Sequence, residues 1–144
     1  MPKLSPVQDS FLRTSRTGHL ATADANGQPH VIPVCYAFDG TSIYSVLDAK
    51  PKTTPLRNLR RVRNILDNPQ VSLVVDHYEE DWKQLRYILV SGNAELLESG
   101  EEWSWAIAIL REKYPQYESM DLDESPVIKI TPVRFAPWSF QPES

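Results

Sequence analysis

Residues 18–46 read GHLATADANGQPHVIPVCYAFDGTSIYSV, and they contain the clearest signals for the fold of this chain. It contains two pairs of turn residues, Asn26-Gly27 and Asp39-Gly40, each between runs rich in β-branched and aromatic residues. Asn-Gly and Asp-Gly are strong hairpin signals because these residues tolerate a positive φ. The stretch therefore predicts three antiparallel strands joined by two hairpins, at residues 18–24, 28–38 and 41–47.

Prolines divide the chain into short segments. The 144 residues include 12 prolines and only 5 glycines, and the prolines lie at the edges of β-type segments, which favours a β-rich domain over a helix bundle. Pro29 and Pro33 fall within the second predicted strand. Because proline has no amide hydrogen, we expect part of that strand to be unpaired or bulged.

Helical signals occur at three places outside these hairpins. Ser5-Pro6 is an N-cap followed by a first-turn proline, and Thr54-Pro55 repeats this pair. Ser99 and Glu102 fit a capping box. We expect helices over residues 5–16, 55–67 and 100–113, and further strands over residues 70–77, 85–97 and 126–135. Gly92 predicts a bulge in the longest of these strands.

Together these elements predict a mainly β fold. Strands that follow one another through hairpins pair antiparallel, and six strands with flanking helices form a closed or half-closed antiparallel barrel. A chain of 144 residues has the length of one domain and can bury a core without disulfides or metals. We therefore expect a single domain over residues 1–144.

Charge and composition exclude several classes of protein. The formal net charge is −4, whereas domains that bind nucleic acid non-specifically are normally basic. No apolar run approaches the roughly 18 residues of a membrane helix, and the N-terminus has no apolar secretion signal. Cys35 is the only cysteine, which excludes an internal disulfide and a cysteine-rich zinc site. We expect a cytoplasmic protein that binds neither nucleic acid nor membranes.

A basic stretch follows the third predicted strand. Residues 49–66 contain six basic side chains and no acidic one, and Thr53 and Thr54 add hydroxyl groups where the second helix is expected to begin. A helix N-terminus beside lysine and hydroxyl side chains is suited to binding phosphate, and Lys50 and Lys52 are the best placed ligands. The alternative is a solvated basic helix face.

The sequence contains no motif for metal binding or nucleophilic catalysis. His19, His30 and His77 fall on different predicted strands without metal-ligand spacing. A Gly-x-Ser-x-Gly elbow and a glycine-rich phosphate loop are both absent. Cys35 has no basic neighbour in the sequence, so a small buried residue fits it better than a nucleophile.

The 4 tryptophans fall into two groups. Trp103 and Trp105 lie on a predicted helix among aliphatic residues, so we expect them to pack in a core or an interface. Trp82 and Trp138 lie in segments predicted to be polar loops. An exposed tryptophan is costly unless it covers a ligand or a partner chain, so we predict such a contact for both. The alternative for Trp82 is packing against the third helix.

The order of these features resembles the pyridoxamine 5′-phosphate oxidase-like family of split β-barrels over nearly the whole chain. The likeness is carried by residues 18–46, by AKPKTTPLRNLRRVRNILDNPQVSLVVDHY at 49–78 and by VSGNAELLE at 90–98. It implies an FMN-binding split barrel and a homodimer that holds FMN or coenzyme F420, a deazaflavin, between its subunits. The segment DHYEEDWKQLRYILVSGNAELLE at 76–98 is similar to the F420-dependent subgroup.

The same resemblance implies which residues contact the cofactor. Tyr44 and Ser45 would lie along it, and Lys52 would meet its phosphate. Pro33 and Val34 of the preceding strand would also lie along it. With the basic stretch and the two loop tryptophans, the expected cofactor-binding residues are Pro33, Val34, Tyr44, Ser45, Lys50, Lys52, Thr53, Thr54, Arg57, Trp82 and Trp138.

Departures from the family pattern bear on the substrate. The Ser-Arg-Lys phosphate motif of the true oxidases is replaced by Ala-Lys-Pro-Lys-Thr-Thr at 49–54, and their C-terminal motif is reduced to Pro137-Trp138. Oxidation of pyridoxamine phosphate itself is therefore not expected. We expect a small dimeric oxidoreductase that uses FMN or coenzyme F420 for hydride transfer to a small organic acceptor. The cofactor would carry that chemistry, and the sequence identifies no catalytic side chain.

Two other functions remain open. A flavin- or heme-binding carrier protein of the same fold would act without turnover, and His19, His30 or His77 could then be an axial ligand of heme. The second alternative is a dimer that binds no cofactor and has lost its activity. The absorption spectrum of the protein with each cofactor would separate these alternatives.

Overall fold

The computed structural model describes residues 3–47 and 56–142. The helices in these ranges are α1 (Pro6–Thr14), α2 (Arg60–Asp67) and α3 (Glu101–Lys113). The strands are β1 (Gly18–Ala23), β2 (Pro29–Val34), β3 (Ala37–Phe38), β4 (Ile43–Val46), β5 (Gln70–His77), β6 (Arg86–Leu97) and β7 (Val127–Ser139). Single 3₁₀ turns cover Leu56–Asn58, Trp82–Gln84 and Pro115–Ser119. None of the described helices is long and apolar enough to cross a bilayer.

The strands form one antiparallel sheet in the order β2-β1-β5-β6-β7-β4-β3. Its two edge strands, β2 and β3, are separated in the chain only by Cys35 and Tyr36. The link from Val34 to Ala37 spans at most about 11 Å, so the two edges of the sheet must come together. The sheet therefore curls into a split barrel, which confirms the predicted mainly β antiparallel barrel.

The sheet has seven strands rather than the predicted six, because the predicted strand 28–38 is broken at Cys35 and Tyr36. Its first part, β2, pairs with β1, and its second part, β3, pairs with β4 at the opposite edge. Pro29 and Pro33 both lie in β2. On an edge strand a proline nitrogen can face away from the ladder, so the expected unpaired stretch is the free edge of β2.

Two clusters of buried side chains hold the sheet and the helices together. The first fills the barrel and joins α1 and α2 to the inward residues of the strands. Leu20 of β1 and Phe38 of β3 both belong to it, as closure of the barrel requires. The second cluster lies between α3 and the outer side of β3, β4 and the start of β7. Each cluster removes apolar surface from water, which is the main favourable term in folding.

The predicted start of α1 is confirmed, whereas the predicted start of α2 is wrong. Ser5 caps α1 and forms a capping box with Gln8, as the Ser5-Pro6 pair indicates. The predicted helix 55–67 is present as a 3₁₀ turn followed by α2, which begins only at Arg60. Its N-cap, Leu59, has an extended backbone and provides no side-chain cap. The helix start expected at Thr54-Pro55 is therefore wrong for the α-helix.

The capping box predicted at Ser99 and Glu102 is also wrong. Gly100 occupies the N-cap of α3 with a φ of 98° and no side-chain cap, a conformation that favours glycine. The Glu102 carboxylate instead accepts a hydrogen bond from the Tyr44 hydroxyl at 2.8 Å and pairs with the Lys129 ammonium at 2.7 Å. Glu102 thus joins α3 to the sheet rather than to its own N-terminus.

The last strand is longer than the predicted 126–135. It ends at Ser139 because β6 pairs with it along its whole length. Trp138, predicted in a loop, is therefore a strand residue opposite Tyr87.

The bulge predicted at Gly92 is confirmed. The register between β6 and β7 shifts at Ser91/Gly92. A β-carbon at Gly92 would lie 2.4 Å from the carbonyl oxygen of Thr131. Only glycine allows the two strands to approach this closely.

The two tryptophans of α3 differ in their surroundings. Trp103 packs against the second core cluster, and its Nε1 donates to the Ser125 carbonyl at 2.8 Å, so core packing is confirmed for it. Trp105 is 51% exposed, and its Nε1 donates to the Asp39 carboxylate at 3.2 Å. Core packing is therefore wrong for Trp105, and an interface contact stays a prediction.

Candidate functional site

Helix α3 covers one side of the outer surface of the barrel. It packs against β3, β4 and β7. Outward side chains of the remaining strands are exposed or half-buried, and we call this surface the outer face. It is formed by Val31 and Pro33 of β2, His19 and Ala21 of β1, Ser72, Val74 and Asp76 of β5, Tyr87, Leu89 and Ser91 of β6, and Arg134, Ala136 and Trp138 of β7.

The outer face carries large exposed apolar side chains beside the charged residues Asp76 and Arg134. Val31 is 60% exposed and Trp138 is 45% exposed. Val133, the residue that bulges out of β7 opposite Gly92, is 61% exposed. Large apolar side chains exposed together on one sheet mark contact with a ligand or with another chain. The composition of the outer face therefore favours a binding surface.

Trp138 and Tyr87 form a planar part of the outer face. Their rings are stacked, with centroids 5.7 Å apart and 24° between the planes, because the two residues are paired across β6 and β7. The sequence predicts a ligand or partner contact for Trp138 but gives no such signal for Tyr87. The extension of β7 to Ser139 is what brings Trp138 beside Tyr87. Such a stacked and exposed pair offers an apolar surface on which a planar ring system can pack.

Trp82 lies at the same end of the barrel as Trp138. The Phe140 N–H donates to the Leu85 carbonyl at 2.9 Å, which joins the turn containing Trp82 to the end of β7. Trp82 is 59% exposed, and its Nε1 donates to the Tyr78 hydroxyl at 3.4 Å. This exposure contradicts the alternative that Trp82 is packed against α3. Contact of Trp82 with a ligand stays a prediction.

Pro33 lies on the outer face in a row of residues that crosses five strands. The register places in this row Pro33, His19, Val74, Leu89 and Ala136. Adjacent strands are about 4.8 Å apart, so Pro33 is roughly 19 Å along the sheet from the strand that carries Trp138. These two predicted residues share one surface but do not meet.

Three other predicted residues make contacts within the chain itself. Ser45 is buried, and its Oγ donates to the Cys35 carbonyl at 2.8 Å. Val34 packs against the core of the barrel. Tyr44 is 2% exposed beneath α3, with its hydroxyl on Glu102. The structure does not bring these side chains to the outer face, and their contact with a cofactor stays a prediction.

Tyr44, Glu102 and Lys129 form a cluster that the sequence does not indicate, because the residues come from β4, α3 and β7. The contacts of Glu102 with Lys129 and Tyr44 hold the pKa of this carboxyl below its usual value. Burial, followed by the hydrogen bond to Glu102, raises the pKa of Tyr44. At neutral pH the cluster therefore contains an ionised Glu102 and a neutral Tyr44 phenol.

Most of the phosphate ligands predicted in the basic stretch lie outside the described residues. Those outside are Lys50, Lys52, Thr53 and Thr54, and Arg57 is described by its main chain alone. The α-helix that was expected to begin beside these residues begins at Arg60. Their role in binding phosphate stays a prediction that does not depend on the helix start.

The histidines lie apart in the barrel. His19 is exposed on the outer face, His30 is half-buried in β2, and His77 ends β5, where its Nε2 is 2.5 Å from the Glu79 carboxylate. Among the described residues, no three His, Cys, Asp or Glu side chains are placed to hold a metal ion. Because the histidines lie apart, only one of them at a time could contact a bound ligand.

Comparison with known proteins finds one family and a relative of known activity. The sequence profile of the family described as Pyridoxamine 5'-phosphate oxidase matches residues 4–139. A curated relative from Streptomyces rimosus, 5a,11a-dehydrotetracycline/5a,11a-dehydrooxytetracycline reductase, is 29% identical over 136 residues, which cover 92% of this chain and 80% of the relative.

Solved structures also share the fold. The heme storage protein HutZ from Vibrio cholerae has a TM-score of 0.72 at 21% identity, over 96% of this chain and 95% of HutZ. An F420 reductase has a TM-score of 0.68 at 23% identity, over 92% of this chain and 98% of the reductase. At these identities the likeness shows a common split barrel over nearly the whole chain.

Proposed function

The chain belongs to the pyridoxamine 5′-phosphate oxidase family, and we propose that it is a dimeric cytoplasmic reductase that uses FMN or coenzyme F420 to transfer a hydride to a small organic acceptor. The observation that carries this proposal is the outer face. It exposes large apolar side chains, the described helices leave it uncovered, and it contains the stacked pair Trp138 and Tyr87. A cofactor ring held between two copies of the chain would cover it.

A second copy of this chain is the proposed partner. The outer face spans five strands, about 24 Å across at the usual strand spacing. Stable homodimer interfaces bury more than about 2,000 Å², and a sheet face of this width can contribute to such an area. In the dimer Val31 and Val133, which are 60% and 61% exposed, would be buried.

The residues present fit a flavin or deazaflavin. A tricyclic ring needs a planar apolar surface, which Trp138 and Tyr87 offer. Its phosphate needs cations, and Lys50 and Lys52 of the basic stretch would hold it. When bound, the cofactor supplies the hydride. The side chains of the outer face would bind the ring, exclude water from it and orient the acceptor.

The relative from Streptomyces supports a planar acceptor. Its name describes a reductase of dehydrotetracyclines, and its 29% identity extends over most of both chains. We infer for this chain a conjugated organic acceptor, to which the hydride adds at one carbon and a proton from water adds at the other. That step does not require an acidic or basic side chain of the protein.

A heme or flavin carrier is the second candidate function. His19 favours the heme carrier, because this exposed imidazole lies on the outer face between Pro33 and Val74. A single histidine on an apolar surface is a suitable axial ligand for heme iron. The likeness of the fold to that of the heme storage protein HutZ agrees with this alternative.

Absorption titrations of the pure protein with FMN, coenzyme F420 and hemin test both candidates. Binding of FMN or F420, followed by oxidation of the reduced cofactor on addition of conjugated enones, supports the reductase. Binding of hemin that is lost in His19→Ala, without binding of FMN or F420, supports the carrier and contradicts the reductase. Failure of all three cofactors to bind contradicts both functions.

A further inference from the structure

A cavity lies between α1, α3 and the turn that joins β3 to β4, on the side of the barrel that α3 covers. We call it the α3 cavity. It has a volume of about 420 Å³. Its walls combine aromatic and charged side chains and include Arg13, Phe38, Asp39, Trp105, Glu112 and Lys113.

Lys113 contributes to the α3 cavity a side chain whose amine is buried. Its Nζ is shielded from solvent and has no hydrogen-bond partner among the described residues. It lies 4.0 Å from the centroid of the Tyr36 ring and 5.4 Å from that of the Tyr114 ring. Aromatic faces attract a cation but do not replace the hydrogen bonds of a buried ammonium. Because buried polar groups are normally hydrogen-bonded, an unbonded one indicates a chemical role.

Arg16 places a positive charge near this amine. The Arg16 guanidinium lies 4.6 Å from the centroid of the Tyr114 ring, and its Nη2 donates to the Lys113 carbonyl at 2.8 Å. Burial, followed by the charge of Arg16, lowers the pKa of Lys113 to about 8. The surroundings of Nζ therefore disfavour an ammonium and suit a neutral amine or an anion.

Other titratable groups around Nζ do not reverse this preference. Burial raises the pKa of Tyr36 and Tyr114, so both phenols are neutral at pH 8. Cys35 favours the ammonium, but its effect is smaller than those of burial and Arg16. The carboxylates of Asp39 and Glu112 line the α3 cavity, yet neither is among the charges that shift the pKa of Lys113.

We propose that Lys113 is a carbamate site, at which carbon dioxide adds reversibly to the buried amine. The lone pair of Nζ forms a bond to the carbon of carbon dioxide, one C=O π bond opens to leave a carboxylate oxygen, and Nζ releases one proton to water. The product carries one negative charge, so the charge of Arg16, which disfavours the ammonium, stabilises the carbamate. Carbon dioxide is small and apolar, and the α3 cavity gives it an approach along aromatic walls.

Only a neutral amine reacts with carbon dioxide in this way. With a pKa of about 8, about half of the Lys113 amine is neutral at pH 8. An ordinary lysine is only about 0.4% neutral at this pH. Lys113 is thus set apart from an exposed lysine by its reactivity as well as by its burial. This inference does not depend on the proposed function, because neither a cofactor nor a second copy of the chain takes part in the reaction.

Carbon-13 NMR of the full chain in ¹³C-labelled bicarbonate at pH 8 tests this inference. We expect a carbamate signal in wild type that is lost in Lys113→Met. The matched control is Lys83→Met, which removes an exposed lysine and should retain the signal. The α-amino group of the chain should give a separate carbamate signal in every variant, because α-amino groups titrate in this pH range. That signal shows that the reaction conditions are sufficient.

Two substitutions of Arg16 test the role of its charge. Arg16→Gln should weaken the Lys113 signal severalfold, because the ammonium is then less disfavoured and the carbamate less stabilised. Arg16→Lys keeps the positive charge and should retain most of the signal. Equal signals in Arg16→Gln and wild type would refute the role of this charge.

Two results would overturn the carbamate site itself. The first is a wild-type spectrum in which the α-amino group gives the sole carbamate signal. The second is a further signal that persists in Lys113→Met, since it would belong to another amine. Circular dichroism checks that Lys113→Met is folded. Lys113→Arg provides the same test if the methionine variant does not fold, because a guanidinium stays protonated and forms no carbamate.

Discussion

The Lys113 ammonium lies 4.0 Å from the centroid of the Tyr36 ring and has no hydrogen-bond acceptor among the described residues. Burial, reinforced by the positive charge of Arg16, lowers the pKa of Lys113 from 10.5 to about 8, against the opposing effect of Cys35. Below about pH 8 the amine is protonated in both the folded and the unfolded chain. Between about pH 8 and 10 the folded chain has released this proton and the unfolded chain retains it, so the free energy of unfolding rises with pH.

We predict this rise between about pH 8 and 10 in the chain with Cys35→Ala alone, and its loss when Lys113→Met is added. Urea denaturation at several pH values in this window measures it. Both proteins carry Cys35→Ala, so that no thiol beside Lys113 titrates. Burial raises the pKa of Tyr36 and Tyr114 in the folded chain, so these phenols lower stability only as the pH passes their unfolded pKa of 10.0, at the upper end of the window. The same slope in both proteins would show that Lys113 does not cause the rise.

The outer face should hold the dimer together. Sedimentation at micromolar concentration is expected to give the mass of two chains for wild type, and of one chain for Val133→Asp. Val133 is 61% exposed in the protomer, and a carboxylate there would be buried without a partner in the dimer. Leu66→Asp is the matched control, because Leu66 is 58% exposed on α2, whose buried residues join the core inside the barrel. A monomeric wild type, or a dimeric Val133→Asp, contradicts the prediction.

Lys52 should contribute more to cofactor binding than Arg63. Lys52→Ala is expected to weaken binding of FMN or F420 by about ten- to a hundredfold, the range for one charge-assisted contact, and Arg63→Ala by much less. With α2 beginning at Arg60, Arg63 lies in its first turn rather than in the third turn of the predicted helix. Because Arg63 lies nearer to the start of α2 than the sequence predicted, Arg63→Ala is a better matched control for the loss of a positive charge near that helix start. Equal losses in fluorescence titrations of the two variants would refute the assignment.

Trp82 should lie against the cofactor or substrate. A tricyclic ring in contact with an indole quenches its emission, so Trp82→Phe should lose part of the quenching that the cofactor causes in wild type. The control is Trp105→Phe, which removes a tryptophan of similar exposure, 51% against 59%, from α3. If Trp82→Phe retains all of the wild-type quenching, Trp82 is away from the site.

Local signals in the sequence determine most of the secondary structure. The predicted strand 70–77 is β5 without a change of boundary. Gly27 and Gly40 have φ values of 84° and 98°, as the two predicted turns require. The cap of α1 also depends on neighbouring residues. Each of these features is stabilised by contacts over a few positions of the chain, so the sequence pattern alone predicts it.

The candidate site follows from the sequence only in part. Trp138 is exposed, as predicted, although it lies in a strand rather than in a loop. Pro33 lies on the same surface. Tyr44 and Ser45 were expected along a cofactor because of the family resemblance, yet in the protomer both are buried and hydrogen-bonded internally. Tyr87 carries no signal of its own, since only its pairing with Trp138 makes it part of the site.

Local sequence signals are thus sufficient to predict the β-rich fold, the hairpins and the candidate ligand residues. The pairing of distant strands fixes how these parts are arranged. The predicted strand 28–38 is interrupted at Cys35 and Tyr36, because its two parts, β2 and β3, lie at opposite edges of one curled sheet. Trp138 meets Tyr87 because β6 continues to pair with β7 as far as Ser139. Both outcomes depend on hydrogen bonds and packing between residues far apart in the chain, and strand preferences are too weak and too dependent on context to encode them locally.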